Sequence, residues 1–305
     1  KGVDDALERA RQDVLAPHLN VAQADQAAHL NVSRSEAIRG GVQWLIDNQN
    51  PKGTWGSHHS PRWYEVLCDV PGSHNAFRVA TTSLGVMALM DSPYKSEASA
   101  AALSRGVDAL IAEHDVKRAN KMEHYSVWAF GYGLRAMSEY LLAHPEDARR
   151  KEILAACESL VVKLRKYQAL DGGWGYLLAE HSSPTMRLAG LACLAACRRG
   201  LVRAGEKGKL LREIDSALEL GFDSAGAAWF LDAERKKAPL RRWVHYAGAT
   251  LERAASLANR KQLGEHDWFS EVSQFLLKTQ RANGSWSSAQ GEPTLNTGLA
   301  LATLA

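Results

Sequence analysis

The chain has 305 residues, of which 46% are hydrophobic and 23% are charged, as is ordinary for a soluble globular protein. This composition excludes a disordered chain, a collagen-like chain and a small disulfide-stapled domain. The formal net charge of +3 is spread along the chain. Because no basic block occurs, we expect no nucleic-acid partner. No stretch of about 18 apolar residues occurs either, so we expect no transmembrane segment.

The four cysteines do not have the spacing of a zinc site or a disulfide framework. Cys193 and Cys197 stand four apart in a predicted helix, where their side chains would lie along one face without the geometry of a disulfide. We therefore expect no bound metal and no cofactor. Composition does not indicate a compartment.

A spaced motif occurs three times along the chain. In residues 49–55, 168–174 and 280–286, a Gln is followed by Gly after four positions and by Trp after six. The intervals of 119 and 112 residues between the glutamines are about twice a unit of 55 to 60, which indicates two degenerate units in between. We identify these in residues 105–111 and 210–222.

Each unit has the pattern of a helical hairpin. An amphipathic, charged helix ends at a Gly-rich turn, and a second helix rich in small residues follows. The small residues favour close packing, so we expect the second helices to form an inner layer and the first helices an outer one. The chain is predicted to be all-α, with residues 1–34 a helical segment that braces an α/α toroid formed by residues 35–305. The predicted inner helices are 77–90, 126–142, 184–198, 243–258 and 293–304.

The Gln and Trp of the motif are most simply structural. The indole can stack on a helix end, and the Gln amide can bond to helix-end groups that have no partner within the helix. Direct contact with a ligand is the alternative.

Residues 57–82 form an unusually long connection for a compact domain. They contain three histidines together with Glu65, Cys68 and Asp69. The spacing fits no standard metal site. A loop that packs its aromatic residues over the cavity mouth is the favoured interpretation, and a metal site is the alternative.

His74 and Arg78 stand four apart near the start of the first inner helix. Together with the helix N-terminus, they are candidates for binding an anion. The alternative is structural, with Ser73 and Asn75 as caps and Arg78 paired to an acid.

The second inner helix begins with His124 and carries Tyr125, Trp128 and Tyr132 on one face. Three rings at this spacing can line a cavity and attract a cation, or they can be ordinary core. Arg187 of the third inner helix and Asn296 of the fifth complete the expected rim.

His245 and Tyr246 begin the fourth inner helix. With His124, they are the candidate acid and base groups for proton abstraction beside a carboxylate held by Arg187 or Arg78.

The segment from Arg39 to Trp55, with Trp44 and Leu45 between its Arg-Gly start and Gln49, resembles the complete QW motif of squalene–hopene and oxidosqualene cyclases. Two partial copies follow, and the resemblance covers nearly the whole chain. It implies the α/α toroid of the squalene-cyclase and prenyltransferase repeat superfamily, in a divergent single-toroid member.

The known catalytic motifs of that superfamily are missing. Neither the DxDD nor the DCTAE acid motif of the cyclases occurs. The prenyltransferase zinc site needs an Asp two residues before a Cys, and those positions here are apolar: Val66, Ala155, Leu191 and Ala195.

Two functions are therefore carried forward. In the first, the protein binds a hydrophobic or anionic small ligand, or a peptide segment, in its central cavity or at its rim. In the second, it is a divergent terpene cyclase or lyase-type enzyme that uses the histidine, tyrosine and arginine side chains of the rim.

Overall fold

The computed structural model describes residues 34–56, 71–117, 126–176, 182–235, 243–282, 284, 286 and 293–304. Within these segments the chain is predominantly helical, so the all-α prediction is confirmed. The predicted bracing segment lies almost wholly outside the described residues. The elements in chain order are α1 (Arg34–Asp47), α2 (Pro71–Asp91), α3 (Glu97–Glu113), α4 (Ser126–Ala143), α5 (Arg150–Lys166), α6 (Pro184–Arg203), α7 (Lys209–Ala227), α8 (Phe230–Arg235), α9 (Val244–Leu257), β1 (Gln262–Leu263), β2 (His266–Asp267), α10 (Trp268–Thr279) and α11 (Pro293–Leu304).

Several helices begin where capping chemistry places them. Helix α3 follows a capping box in which the side chains of Ser96 and Ser99 bond to each other's backbone amides. At α6, the Ser183 hydroxyl accepts a hydrogen bond from the amide of Met186, and Pro184 occupies the first turn. Such side chains satisfy amides that have no partner inside the helix. The starts of these helices are thus set locally.

Two expectations from the sequence are corrected. Helix α2 begins at Pro71, six residues before the predicted start, so Ser73 and Asn75 lie inside the helix and cannot cap it. Proline is favourable in the first turn because its missing amide hydrogen is not needed there. The sequence also showed no strand, whereas β1 and β2 form a two-residue antiparallel pair.

The helices pack in two layers. Helices α2, α4, α6, α9 and α11 contact one another in that order, and helices α1, α3, α5 and α7 form a second row. Three helices of the second row also pack against the helix that precedes them in the chain: α3 on α2, α5 on α4, and α7 on α6.

The three Gln-Gly-Trp turns share the same hydrogen bonds. Each Gln amide donates to the carbonyl of the turn glycine, at 2.9 Å in the first and third copies and 2.6 Å in the second. Each indole nitrogen donates to the carbonyl ten residues before it, which belongs to Leu45, Leu164 or Leu276. The turn glycines have φ of 82° to 84°, a backbone conformation that is strained for residues with a side chain. These shared hydrogen bonds support the structural interpretation of the motif.

The first two turns also bind the first helix of the next hairpin. Gln49 donates to the carbonyl of Ala102 in α3 at 2.8 Å, and Gln168 donates to that of Ala217 in α7 at 3.0 Å. The Trp174 ring lies in a slot between α6 and α7, where a methyl group on Gly190 would stand 2.5 Å from the ring. The motif thus joins one hairpin to the next.

None of the helices in the described segments is both long and apolar enough to cross a lipid bilayer.

Candidate functional site

Some of the predicted site residues fall outside the described structure. His124 and Tyr125 precede α4 in a segment outside the described residues. Of the long connection predicted over residues 57–82, residues 57–70 also lie outside the described structure, and residues 71–82 belong to α2. For His74 only the backbone, within α2, is described. The roles predicted for these residues stay predictions.

Two rings of the predicted aromatic face, Trp128 and Tyr132 of α4, lie close to tyrosine side chains of other segments. The Trp128 ring centroid lies 6.1 Å from that of Tyr176. One helical turn further along, the half-buried Tyr132 approaches Tyr246 of α9 closely enough for their hydroxyl groups to interact. Burial raises the pKa of both phenols, and in Tyr246 the neighbouring Tyr132 raises it further. Both groups therefore stay protonated and neutral near pH 7.

His245 lies in the core at the start of α9, with only 3% of its surface exposed. Burial lowers its pKa, and the side chain of Asn296 in α11 opposes that shift. The structure thus brings together two of the predicted residues, His245 and Asn296. The imidazole is neutral near pH 7 and sits within a helix contact, whereas the sequence predicted it on an open rim.

Arg187 is also buried, with 5% of its side chain exposed. It donates to the Ser182 hydroxyl at 2.5 Å and lies 3.4 Å from the Asp171 carboxylate. Burial lowers the pKa of this guanidinium, although Asp171 works in the opposite direction. Its contacts hold the turn that carries Trp174 against α6.

Arg78 forms an ion pair across the two layers. Its Nε and one terminal nitrogen both lie within 3.1 Å of one carboxylate oxygen of Glu113 in α3. This is the paired arrangement that the sequence offered as the structural alternative.

A charged cavity of about 340 Å³ lies at the other end of the same helices. It opens between the C-terminal ends of α2, α4, α6 and α9. Its lining combines five charged side chains with apolar and small residues: Met90, Asp91, Glu139, Leu142, Ala143, Ala196, Arg199, Gly200, Arg203, Arg253 and Leu257. The volume is that of a small-molecule site.

The charges in this cavity are partly paired. The Arg135 Nε, just outside the lining, donates to Glu139 Oε1 at 3.0 Å, and a terminal nitrogen of Arg253 lies 3.6 Å from the same oxygen. Burial disfavours the charge on Arg135, but Glu139 outweighs that effect and the pKa of Arg135 is raised. Among the described residues, no carboxylate lies within ion-pairing distance of Arg199 or Arg203. With three arginines and two carboxylates, the lining holds more positive than negative charge.

Two cationic side chains, Lys95 and Arg150, bind carbonyl groups at the helix ends around this cavity. Lys95 Nζ donates to the carbonyls of Leu89 and Met90 at the end of α2. Arg150 donates to the carbonyl of Ala204 after α6 at 3.3 Å. These bonds reduce the negative potential that helix C-termini create at the cavity.

The sequence analysis did not predict this cavity, because its candidate residues lie near the N-terminal ends of the predicted inner helices. One signal was present: Arg199 and Arg203 stand four apart, and so do Arg135 and Glu139, so each pair shares a helix face. The position of Arg253 opposite Glu139 depends on α4 and α9 both packing against α6, which no local pattern encodes.

Comparison with protein-family models, with curated protein sequences and with solved structures finds no match to this chain.

Proposed function

We propose that this protein is a ligand-binding α/α toroid of the squalene-cyclase repeat type, and that its charged cavity binds an amphipathic anion. The toroid is supported by the turns, because three copies of the QW-type motif form the same pair of internal hydrogen bonds. It is also supported by the two rows of helices packed in chain order.

The charge of the cavity lining is the main observation that supports an anionic ligand. Arg199, Arg203 and Arg253 face two carboxylates, and one of these, Glu139, already lies between Arg135 and Arg253. Apolar side chains of Met90, Leu142 and Leu257 complete the wall. Guanidinium groups suit carboxylates and phosphates, and the apolar wall suits a hydrocarbon portion of the same ligand.

Binding is favoured over catalysis by the state of the candidate acid and base groups. The phenols of Tyr132 and Tyr246 have raised pKa values, and His245 is buried between helices. None of the three belongs to the cavity lining. Cyclase or lyase-type chemistry at the rim stays a prediction of the sequence.

Isothermal titration calorimetry with three ten-carbon probes tests this function. We expect decyl phosphate to bind and decyltrimethylammonium and decanol to bind much more weakly. The double variant Arg199→Gln/Arg203→Gln should weaken decyl phosphate binding about tenfold or more, because hydrogen bonds to charged groups contribute about 1.5–3 kcal/mol each.

Arg198→Gln is the matched control. Arg198 precedes Arg199 on α6 but pairs with Asp215 of α7, away from the cavity. Its substitution removes one positive charge from the same helix, half of the charge change in the double variant, and should leave decyl phosphate affinity unchanged. Equal binding of the cationic probe, or equal loss in the control, would contradict the proposal.

A further inference from the structure

Building on the function proposed above, we propose that Glu139 is an internal competitor for the ligand's anionic group. The carboxylate holds Arg253 when no anion is bound, and it yields Arg253 to the ligand on binding. Glu139 would thereby set the affinity of the cavity, acting through Arg253 rather than by touching the ligand's hydrocarbon portion.

The two contacts of Glu139 are unequal. Its Oε1 accepts a hydrogen bond from Arg135 Nε at 3.0 Å, whereas the nearest nitrogen of Arg253 is 3.6 Å from that oxygen. The longer distance exceeds that of a normal hydrogen bond. The contact with Arg253 is therefore the one that breaks when a better partner arrives.

The surroundings of the two arginines differ in the same direction. Arg135 is 23% exposed and lies on the same helix as Glu139, one turn away, so their pairing is fixed by the helix. Arg253 comes from α9 and is 46% exposed. It lines the cavity together with Arg199 and Arg203, and Arg135 does not. Arg253 can thus turn towards a bound anion while Glu139 keeps its partner.

Charge gives Glu139 a second effect on binding. Because Glu139 and Arg253 both line the cavity, an anion that contacts Arg253 also comes close to the Glu139 carboxylate. Like charges repel at this range, and the partly buried site screens them poorly. Removing the negative charge of Glu139 should therefore tighten anion binding, whereas loss of a merely structural residue would leave it unchanged or weaken it.

The test is a set of variants titrated with decyl phosphate. Glu139→Gln keeps the size of the side chain and an oxygen that accepts from Arg135, so the fold is retained. We expect it to bind decyl phosphate about tenfold more tightly than the natural protein. Glu213→Gln is the matched control, because Glu213 lies 3.7 Å from Arg165 on the outer layer and its loss changes the net charge equally. The control should bind as the natural protein does.

Coupling with Arg253 makes the test specific. Arg253→Gln alone should weaken binding. In that background Glu139→Gln should tighten binding less than it does in the natural protein, since the contested cation is gone and only the repulsion by Glu139 is relieved. The Arg253→Gln measurement still tests the proposal if Glu139→Gln by itself does not fold, because it removes the cation that Glu139 is proposed to hold. Unchanged affinity in Arg253→Gln would overturn the proposal.

Failure of this proposal is distinguishable from failure of the proposed function. If the natural protein binds decyl phosphate and depends on Arg199 and Arg203, but Glu139→Gln binds no more tightly, only the role of Glu139 is overturned. If neither the natural protein nor Glu139→Gln binds decyl phosphate, both proposals are overturned.

Discussion

At the scale of single residues, the turn tryptophans have the strongest claim to a structural role. Trp174 is fully buried, its indole nitrogen donates to the Leu164 carbonyl at 2.9 Å, and its ring fills the slot between α6 and α7. Trp44, which also belongs to the QW-type segment, is 62% exposed. Residues of one type within one motif thus differ in burial and in their expected contribution to stability.

Substitution of Trp174 by Ala should lower the free energy of unfolding by about 3–5 kcal/mol, because the ring leaves a cavity that the helices cannot fill. Trp44→Ala should change the free energy of unfolding by less than about 0.5 kcal/mol, as is usual at surface positions. Denaturant unfolding followed by circular dichroism measures both. Equal effects of the two substitutions would contradict a structural role for the turn.

His245 predicts a pH dependence of stability. Its pKa is lowered in the folded protein from the ordinary value of 6.5, so the unfolded chain binds a proton more readily than the folded one. Stability from this group is therefore complete above about pH 6.5 and is lost as the pH falls through the folded pKa. Relative to His245→Leu, the natural protein should lose unfolding free energy between pH 8 and pH 5. Parallel pH curves for the two proteins would show that the pKa of His245 is not lowered.

At the scale of the helix, close approach to a ring decides which glycines tolerate a side chain. Gly190 of α6 faces the Trp174 ring, and an added methyl group would lie 2.5 Å from it. Gly41 of α1 is also helical, but an added methyl group there meets nothing within 4 Å. The same substitution should thus have opposite effects in the two helices.

Gly190→Ala should destabilise the protein by about 1–3 kcal/mol, because the methyl group overpacks the contact between α6 and the turn. Gly41→Ala should stabilise it, by up to about 1 kcal/mol, because Ala restricts the unfolded chain and favours the helix. Thermal unfolding of the two variants checks the signs. Stabilisation by Gly190→Ala would mean that the Trp174 ring does not occupy the slot.

At the scale of the whole molecule, three buried thiols report on the packing of the two layers. Burial raises the pKa of Cys157 and Cys193 to about 12 and that of Cys197 well above its usual value. At pH 8 roughly one thiol in ten thousand would be the reactive thiolate. Cys157 lies on α5 and the other two on α6, so their reactivity depends on both helices staying packed.

Iodoacetamide at pH 8 should leave these three cysteines unmodified in the folded protein and alkylate them after unfolding in guanidinium chloride. Peptide mapping by mass spectrometry reads each site separately, so a reaction at Cys68 does not interfere. The Trp174→Ala variant should be alkylated faster, because it opens more often. Rapid alkylation of Cys193 in the folded natural protein would contradict tight packing of α4 against α6.

Local patterns predicted much of this protein. The sequence alone placed the start of α6 at Pro184 and that of α11 at Pro293, and it located all three Gln-Gly-Trp turns. These features depend on residues a few positions apart: a cap, a proline in the first turn, or a glycine with positive φ. Pro71 also occupies a first helical turn, but the helix was predicted to start at residue 77, and that error stayed within one element.

Only the tertiary structure decided which polar and charged residues are buried and which line the cavity. His245 and Arg187 are polar residues near helix starts, and the sequence placed both on an open rim, yet neighbouring helices bury them. The charged cavity depends in turn on α4, α6 and α9 presenting Glu139, Arg199 and Arg253 to one space. Helix periodicity fixes which residues share a face, but the direction of that face is set by packing between segments tens of residues apart.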